Sequence, residues 1–117
     1  MAEDWSRPVV HWEIQAKDPD RIAEFYSQLC NWDIGPGALR VISAGIGAPE
    51  SITGHIRQGQ RSGVTLYIQV LSLRESLAKA RELGGTVTRE PFDPGGRPPT
   101  IAWIEDPEGN HVVLVQQ

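Results

Sequence analysis

One segment near the N-terminus reads Val10-His-Trp-Glu-Ile-Gln-Ala16, and its apolar and polar side chains alternate along the chain. Alternation with a period of two predicts a β-strand that has one face packed in a core and one face of different character. The apolar face holds Val10, Trp12, Ile14 and Ala16, and the polar face holds His11, Glu13 and Gln15. An imidazole, a carboxylate and an amide therefore leave the same side of one strand.

A helix is expected directly after this strand. Asp18 is a good N-cap and Pro19 suits the first helical position, because proline lacks the N–H that would be unpaired there. The helix should end near Asn31, with an apolar stripe formed by Ile22, Phe25, Tyr26 and Leu29. Three strands are then predicted over Trp32–Ile34, Leu39–Ala44 and His55–Gln58, with a loop over Gly45–Ser51.

The same order of elements is predicted a second time. The segment Val64-Thr-Leu-Tyr-Ile-Gln-Val70 alternates, which predicts that Leu66, Ile68 and Val70 face the core and that Thr65, Tyr67 and Gln69 lie on the polar face. Ser72 with Glu75 forms a capping box. The second helix should bury Leu73, Leu77, Ala80 and Leu83 and end at Gly84-Gly85. Strands are predicted over Thr86–Thr88, Thr100–Ile104 and His111–Val115. Matching positions such as Ile14 and Ile68 lie 54 residues apart, so two modules are expected, over about 8–61 and 62–117. Neither module is large enough to close a core alone, which predicts a single domain over residues 1–117.

Composition excludes several classes of protein. The chain has 117 residues, of which 39% are hydrophobic and 22% charged, as in a folded globular domain. The net charge of −4 disfavours nucleic acid and anionic membranes as partners. No apolar stretch is long enough to cross a bilayer, and the N-terminus does not resemble a signal peptide. Cys30 is the single cysteine, which excludes an intrachain disulfide and favours a cytoplasmic location.

Several short motifs in this order resemble the vicinal oxygen chelate superfamily, which includes glyoxalase I, bleomycin-resistance proteins and extradiol dioxygenases. The residues that carry the resemblance are His11 with Asp18, Phe25-Tyr26, Trp32, Ala80-x-x-x-Gly84-Gly85 and the stretch from Ile101 to Asn110. The resemblance implies an α+β fold in which tandem βαβββ modules form a curved mixed sheet around a cleft. It also implies a homodimer and a small-molecule ligand.

Members of this superfamily commonly bind one divalent metal through four side chains. Carried over to this chain, the four positions are His11, Gln58, Thr65 and Val113. Catalytic zinc needs three good ligands, and non-haem iron needs two histidines and a carboxylate. One imidazole, one amide, one hydroxyl and one hydrocarbon do not meet either requirement, so no metal and no other cofactor is expected. A shifted site that uses Glu13 or His111 is left open.

The candidate site residues lie on the polar faces of the predicted strands. His11 and Glu13 are the candidate catalytic residues, because a carboxylate beside an imidazole can transfer protons at neutral pH. The alternative is that both only satisfy hydrogen bonds of that face. Candidate ligand-binding residues are Gln15, Gln58, Thr65, Tyr67, Gln69 and His111, and a ligand is expected in the cleft between the first and fifth strands. Arg40, Arg57 and Arg61 are interpreted as solvated surface.

Three hypotheses of function follow. The first is a glyoxalase/bleomycin-resistance-like protein that binds a small organic molecule in its cleft without a metal. The second is a lyase, isomerase or dioxygenase that uses a shifted metal site or His11/Glu13 acid-base chemistry. The third is an interaction module without a ligand. No dinucleotide fingerprint, Walker A sequence or Gly-x-Ser-x-Gly elbow is present, so nucleotide binding and serine-hydrolase chemistry have no support.

Overall fold

The computed structural model describes residues 6–42, 52–60 and 62–117, and these form two compact units. The N-terminal unit is His11–Thr65, and the C-terminal unit is Leu66–Gln117 together with residues that precede His11. The elements are β1 (Val9–Ala16), α1 (Pro19–Cys30), β2 (Leu39–Ile42), β3 (Gly54–Gln58), β4 (Gly63–Gln69), α2 (Leu73–Glu82), β5 (Thr86–Phe92), β6 (Thr100–Glu105) and β7 (His111–Gln116). The predicted α+β class is confirmed.

In the N-terminal unit the strands are hydrogen-bonded in the order β2-β3-β1. Strand β1 runs parallel to β3, and β2 runs antiparallel to β3. Helix α1 begins as predicted, because the Asp18 side chain accepts a hydrogen bond from the backbone N of Arg21, and it ends at Asn31, whose φ is 57°. Ala16, Ile42 and Ile56 form the core, with Trp12, Ile14 and Ile22 packed against it. The apolar face predicted for β1 is therefore the core face.

Some predictions for this unit are wrong. Trp32–Ile34 is no strand, since only Ile34 makes an isolated bridge, to Ile42. Described strands accordingly number seven rather than eight. The β2 strand is described only to Ile42, and the predicted strand residues 43–44 and the loop over 45–51 lie outside the described residues.

The predicted burial of α1 is also wrong in part. Phe25 and Leu29 are 55% and 68% exposed. The core contacts Ile22 and Ala23 of α1 instead. Helix α1 is therefore turned about its axis so that its Ile22–Ala23 side faces the sheet, and Phe25 and Leu29, which lie on the other side of Ile22 from Ala23, remain in solvent.

In the C-terminal unit the strand order is β4-β7-β6-β5. Strand β4 pairs with β7 in parallel, and β6 pairs antiparallel with both β7 and β5. Helix α2 begins where the Ser72 hydroxyl accepts a hydrogen bond from the backbone N of Glu75, at 3.2 Å. It ends before Gly84, whose φ of +96° favours glycine. The core contains Val70, Leu73, Leu77, Ala102 and Leu114.

Two side chains predicted for this core are exposed instead, Leu66 at 42% and Leu83 at 67%. Leu83 follows the last helical residue, so it no longer lies on the buried stripe. Strand β5 continues to Phe92 rather than ending at Thr88, because β6 offers it a partner along its length. Neither helix among the described residues has the length and apolar character needed to cross a membrane.

Candidate functional site

One face of the β2-β3-β1 strands carries a row of polar side chains. Glu13 lies opposite His55 and Gln15 lies opposite Arg57 in the parallel β1–β3 register. Side chains that pair across strands share a face, and the core residues Ile14 and Ile56 pair on the opposite face. We define the polar face as His11, Glu13, Gln15, Thr53, His55 and Arg57.

The polar face contains a continuous chain of hydrogen bonds. The Thr53 hydroxyl lies 3.0 Å from His11 Nδ1, and His11 Nε2 lies 2.7 Å from His55 Nδ1. His55 Nε2 lies 2.7 Å from Glu13 Oε1. Arg57 completes the chain, because its Nε and Nη2 donate to the two carboxylate oxygens of Glu13 at 3.0 and 3.3 Å. Five side chains are thus linked from a threonine to a guanidinium.

Glu13 is ionised and accepts hydrogen bonds from both His55 and Arg57. It is 3% exposed. Burial alone would raise the pKa of its carboxyl, but hydrogen bonds from His55 and Arg57 and their positive charges outweigh burial and lower the pKa to about 2. A carboxylate only accepts hydrogen bonds, so His55 Nε2 carries the proton that points to Glu13. Glu13 therefore orients His55 and is not itself a proton donor at neutral pH.

His11 is the more accessible of the two imidazoles, because it is only partly buried, whereas His55 is 6% exposed. Burial lowers the pKa of His11, the charge of His55 lowers it further, and Glu13 opposes both. His11 is therefore neutral at pH 7. In the tautomer that places the His55 proton on Nε2, towards Glu13, His55 Nδ1 accepts the His11 Nε2 proton, and His11 Nδ1 keeps a lone pair that accepts from Thr53. His11 is thus a base that is oriented by His55, and His55 is in turn held by Glu13. A base held in this way is a common arrangement in catalytic sites.

Apolar side chains border the polar face on β2. Val41 lies opposite His55 and Leu39 lies opposite Arg57, so both share the face of the hydrogen-bonded chain. Each is 51% exposed. A surface that offers a hydrogen-bonding imidazole next to exposed hydrocarbon suits a small organic molecule with one polar and one apolar end.

The N-terminal unit brings some of the predicted site residues together and separates another. His11, Glu13 and Gln15 share the polar face. Gln58 pairs in register with Ala16, so its side chain belongs to the opposite face, and grouping it with His11 was wrong. Thr65 is buried, with 6% exposure. The binding roles of Gln15 and Thr65 remain predictions.

In the C-terminal unit the corresponding face is aromatic and apolar. Tyr67 lies opposite Val113, which lies opposite Trp103, and Gln69 lies opposite Val115. We define the aromatic face as Tyr67, Phe92, Ile101, Trp103, Val113 and Val115, which pack together. The Arg89 guanidinium lies 3.7 Å from the ring centroid of Phe92 and 5.2 Å from that of Trp103. His111 Nε2 lies 3.8 Å from Glu105 Oε2. Tyr67, Gln69 and His111 remain predicted ligand contacts.

Sequence reasoning missed His55 and Arg57. Arg57 was interpreted as solvated surface, but it is paired with Glu13, and Arg40 is paired with Asp20 at 2.6 Å. Arg61 lies outside the described residues. The signal was the alternation His55-Ile56-Arg57, which resembles that of β1. It was overlooked because the offset between the modules is not constant. Tyr67 lies 54 residues after Glu13, whereas Val113, the partner of Tyr67, lies 58 residues after His55, the partner of Glu13.

This register changes the set of metal positions that the resemblance implies to His11, His55, Thr65 and Val113. The donors do not fit a metal ion. His11 and His55 are hydrogen-bonded to each other, and Val113 is a buried hydrocarbon, 4% exposed. In residues 6–42, 52–60 and 62–117, no three His, Cys, Asp or Glu side chains converge as metal ligands do. The expectation that the protein holds no metal remains a prediction.

Comparison with known proteins places the chain among relatives of the same architecture. Residues 11–115 match the family model described as glyoxalase-like domain. A protein of Didymella fabae, described as a glyoxylase-like domain-containing protein, is 27% identical over 108 residues, which is 84% of each chain.

Solved structures share the fold at low identity. A glyoxalase/bleomycin resistance protein/dioxygenase superfamily member from Vibrio splendidus 12B01 has a TM-score of 0.66 and 12% identity, over 96% of this chain and 100% of that one. A methylmalonyl-CoA epimerase variant from Streptomyces coelicolor, in complex with 2-nitronate-propionyl-CoA, has a TM-score of 0.62 and 16% identity, over 93% of each chain. At sequence identities this low, the similarity shows a shared fold and not a shared function.

Proposed function

The chain belongs to the family of glyoxalase-like domains, and on that premise we propose that it binds a small organic molecule on its polar face, without a metal ion. The observation that carries the proposal is the hydrogen-bonded chain from Thr53 to Arg57, which holds the partly exposed imidazole of His11 between Thr53 and His55. A solvated surface gains nothing from holding an ionised carboxylate at 3% exposure, since burying a charge is costly unless it is fully paired. A preorganised binding surface does gain from it, because the chain holds His11 in one orientation.

The chemistry of the face limits the class of ligand. His11 offers one hydrogen-bonding group, and the exposed Val41 and Leu39 offer an apolar surface beside it. The ligand is therefore a small molecule with an oxygen near His11 and a hydrocarbon part over β2. The structurally similar epimerase was solved with a CoA ester, which is a ligand that combines both features.

Native mass spectrometry of the purified protein, followed by titration with the compound that co-purifies, tests this proposal. His11→Ala and Val41→Asp should each weaken binding about tenfold or more, which is about 1.4 kcal/mol. The matched control is Leu83→Asp, since Leu83 is also an exposed apolar residue and lies in the other unit. Tyr67→Ala measures whether the aromatic face contributes. Unchanged affinity in both His11→Ala and Tyr67→Ala would show that neither face is the binding surface.

A second candidate function, proton transfer by His11 in a lyase or isomerase, is favoured by the hydrogen-bonded series His11–His55–Glu13, which connects the His11 imidazole to a buried carboxylate. A proton taken up at His11 Nδ1 leaves Nε2–H donating to His55, and the added charge is balanced through His55 by Glu13. Positioned acid-base groups of this kind contribute about 10²–10⁴-fold to rate. The test is deuterium incorporation into the bound compound in D₂O, followed by mass spectrometry.

Wild type should exchange deuterium, and His11→Ala should lose the exchange. Glu13→Gln should slow the exchange while binding persists, because Glu13 acts through His55 rather than on the ligand. Equal exchange rates in wild type and His11→Ala would leave binding alone as the function.

The remaining parts of the proposal concern metal content and assembly. Elemental analysis should find well under one transition metal per chain, because the donor set lacks three good ligands. The proposed assembly is a homodimer, so sedimentation should give about twice the 12.9 kDa chain mass, and a mass of 12.9 kDa would contradict it. A cytoplasmic location is proposed from the single cysteine.

A further inference from the structure

A separate cavity of about 500 Å³ lies in the N-terminal unit, against α1 and beside the end of β1 and the start of β4. Its apolar lining includes Ile14, Ile22, Phe25 and Val64. Ile14 belongs to the core face of β1, and Gln15 is the one polar-face residue in the lining. The cavity therefore opens on the helix side of the sheet, away from the hydrogen-bonded chain of His11. We call it the helix-side cavity.

The helix-side cavity leaves large apolar side chains uncovered. Phe25 is 55% exposed and Val64 is 65% exposed. An apolar ligand binds most favourably to exposed hydrocarbon in a concave surface, because a single molecule removes several side chains from water at once. The volume also falls within the range of about 300–1,000 Å³ that is usual for small-molecule sites.

Two cations at the rim give this cavity a charge preference. Lys17 and Arg21 both belong to its lining. Among the carboxylates of the described residues, none forms an ion pair with either side chain. Asp18 also lines the cavity, where its Oδ1 caps the helix by accepting from the backbone N of Arg21, and its negative charge offsets only one of the two cations. The rim therefore keeps a net positive charge in a chain whose overall charge is −4.

A neighbouring cavity supports the assignment of Lys17. It shares Lys17 with the helix-side cavity and also contacts Arg40 and Arg57. Arg40 is paired with Asp20, and Arg57 is paired with Glu13. Lys17 is thus the cation between the two cavities whose charge is available to a ligand.

We propose that the helix-side cavity binds an amphipathic organic anion, with a hydrocarbon body against Phe25 and Val64 and a terminal carboxylate near Lys17 and Arg21. Burial of exposed apolar surface holds the hydrocarbon body. Lys17 and Arg21 hold the carboxylate, and no existing ion pair has to break before they bind it. This site is independent of the ligand proposed for the polar face.

Calorimetric titration with octanoate and with octanol tests the proposal, because the two probes share a hydrocarbon body and differ in charge. Lys17→Gln combined with Arg21→Gln should weaken octanoate about tenfold and octanol less than about twofold. Val64→Asp should weaken both probes, since it places a carboxylate in the apolar lining. Phe25→Ser provides a second variant of that lining should Val64→Asp impair folding, and melting curves check the fold of every variant.

The matched control is Arg74→Gln combined with Lys79→Gln, which removes the same charge from α2 in the C-terminal unit. This control should leave octanoate affinity within about twofold of wild type. Four outcomes would overturn the proposal: no octanoate binding to wild type, equal loss in the control, equal loss of octanol in the Lys17/Arg21 variant, or a Val64→Asp variant that changes the sedimentation mass. The last outcome would identify the cavity as a contact between copies of the chain. A failure here is distinguishable from a failure at the polar face, because His11→Ala changes binding of the co-purifying compound and not of octanoate.

Discussion

The polar face of the N-terminal unit and the aromatic face of the C-terminal unit occupy equivalent places in the two modules and differ in chemistry. In the first, Glu13 pairs across the strands with His55, and His55 with Val41. In the second, the equivalent row is Tyr67, Val113 and Trp103. The same strand-helix-strand framework thus presents a carboxylate and an imidazole in one half and an aromatic cluster in the other.

The difference shows which face of the repeat determines the fold. In both units the helix side of the sheet is apolar, with Ile56 at the centre of one core and Leu77 and Leu114 in the other. The opposite face is free to differ, because its side chains do not hold the helix in place. Buried ionic groups add little net stability over well-packed hydrocarbon, so the burial of the ionised Glu13 supports the proposal that the polar face binds a ligand.

The largest effects should be alike in the two halves, since the helix-side cores are alike. Ile56→Ala and Leu77→Ala remove side chains that are 0% and 3% exposed, and each should lower the free energy of unfolding by about 2–5 kcal/mol. Leu29→Ala, at 68% exposure, should change it by less than about 0.5 kcal/mol. Urea denaturation measures all three, and a large effect of Leu29→Ala would mean that the exposed flank of α1 is covered in solution.

The next effect should separate the two faces. Glu13→Gln removes the charge that His55 and Arg57 share, and should destabilise the protein by about 1–3 kcal/mol, because a buried hydrogen-bonding partner is lost. The counterpart Tyr67→Phe keeps the aromatic packing and should cost less than about 1 kcal/mol. Equal costs in the same urea experiments would contradict the contrast between a polar and an aromatic face.

Acidification should weaken the protein through the polar face. The folded-state pKa of His11 lies below its ordinary value of 6.5, so the unfolded chain takes up this proton first as the pH falls. The stability that neutral His11 contributes is fully present above pH 6.5 and is lost as the pH falls towards its folded pKa. Glu13 acts with the same sign at lower pH, between about 4.5 and about 2.

Unfolding measured across this range should show two regions of slope. His11→Gln should flatten the region just below pH 6.5, and Glu13→Gln the region below pH 4.5. Lys79→Gln, on the exposed side of α2, should leave both slopes unchanged. A His11→Gln variant with the wild-type slope near pH 6 would show that His11 is not held neutral by its surroundings.

The smallest effect is expected on the aromatic face. Arg89→Ala removes a guanidinium that lies over Phe92 and near Trp103, and exposed cation–π contacts contribute about 0.5–1 kcal/mol. Arg74→Ala on α2 is the matched control and should cost less. If the two variants unfold at the same urea concentration, the stacked arginine does not stabilise this half.

The sequence by itself determined the elements whose causes are local. The alternation of Val10–Ala16, the caps Asp18 and Ser72, and the positive-φ end at Gly84 follow from short-range preferences that a few neighbouring residues express. The polar face of β1 could also be predicted from the sequence, because alternate residues of a strand lie on the same face and His11 and Glu13 are two residues apart.

Only the tertiary structure decided which residues complete the site. His55 and Arg57 lie more than 40 residues from His11 and Glu13, and their role depends on the parallel register of β1 with β3, which no local pattern specifies. The exposure of Phe25 and Leu29 depends in the same way on how α1 turns against its sheet. Register and helix rotation are set by the sum of long-range packing contacts, so a shift of one residue would move Gln58 onto the polar face and remove His55 from it.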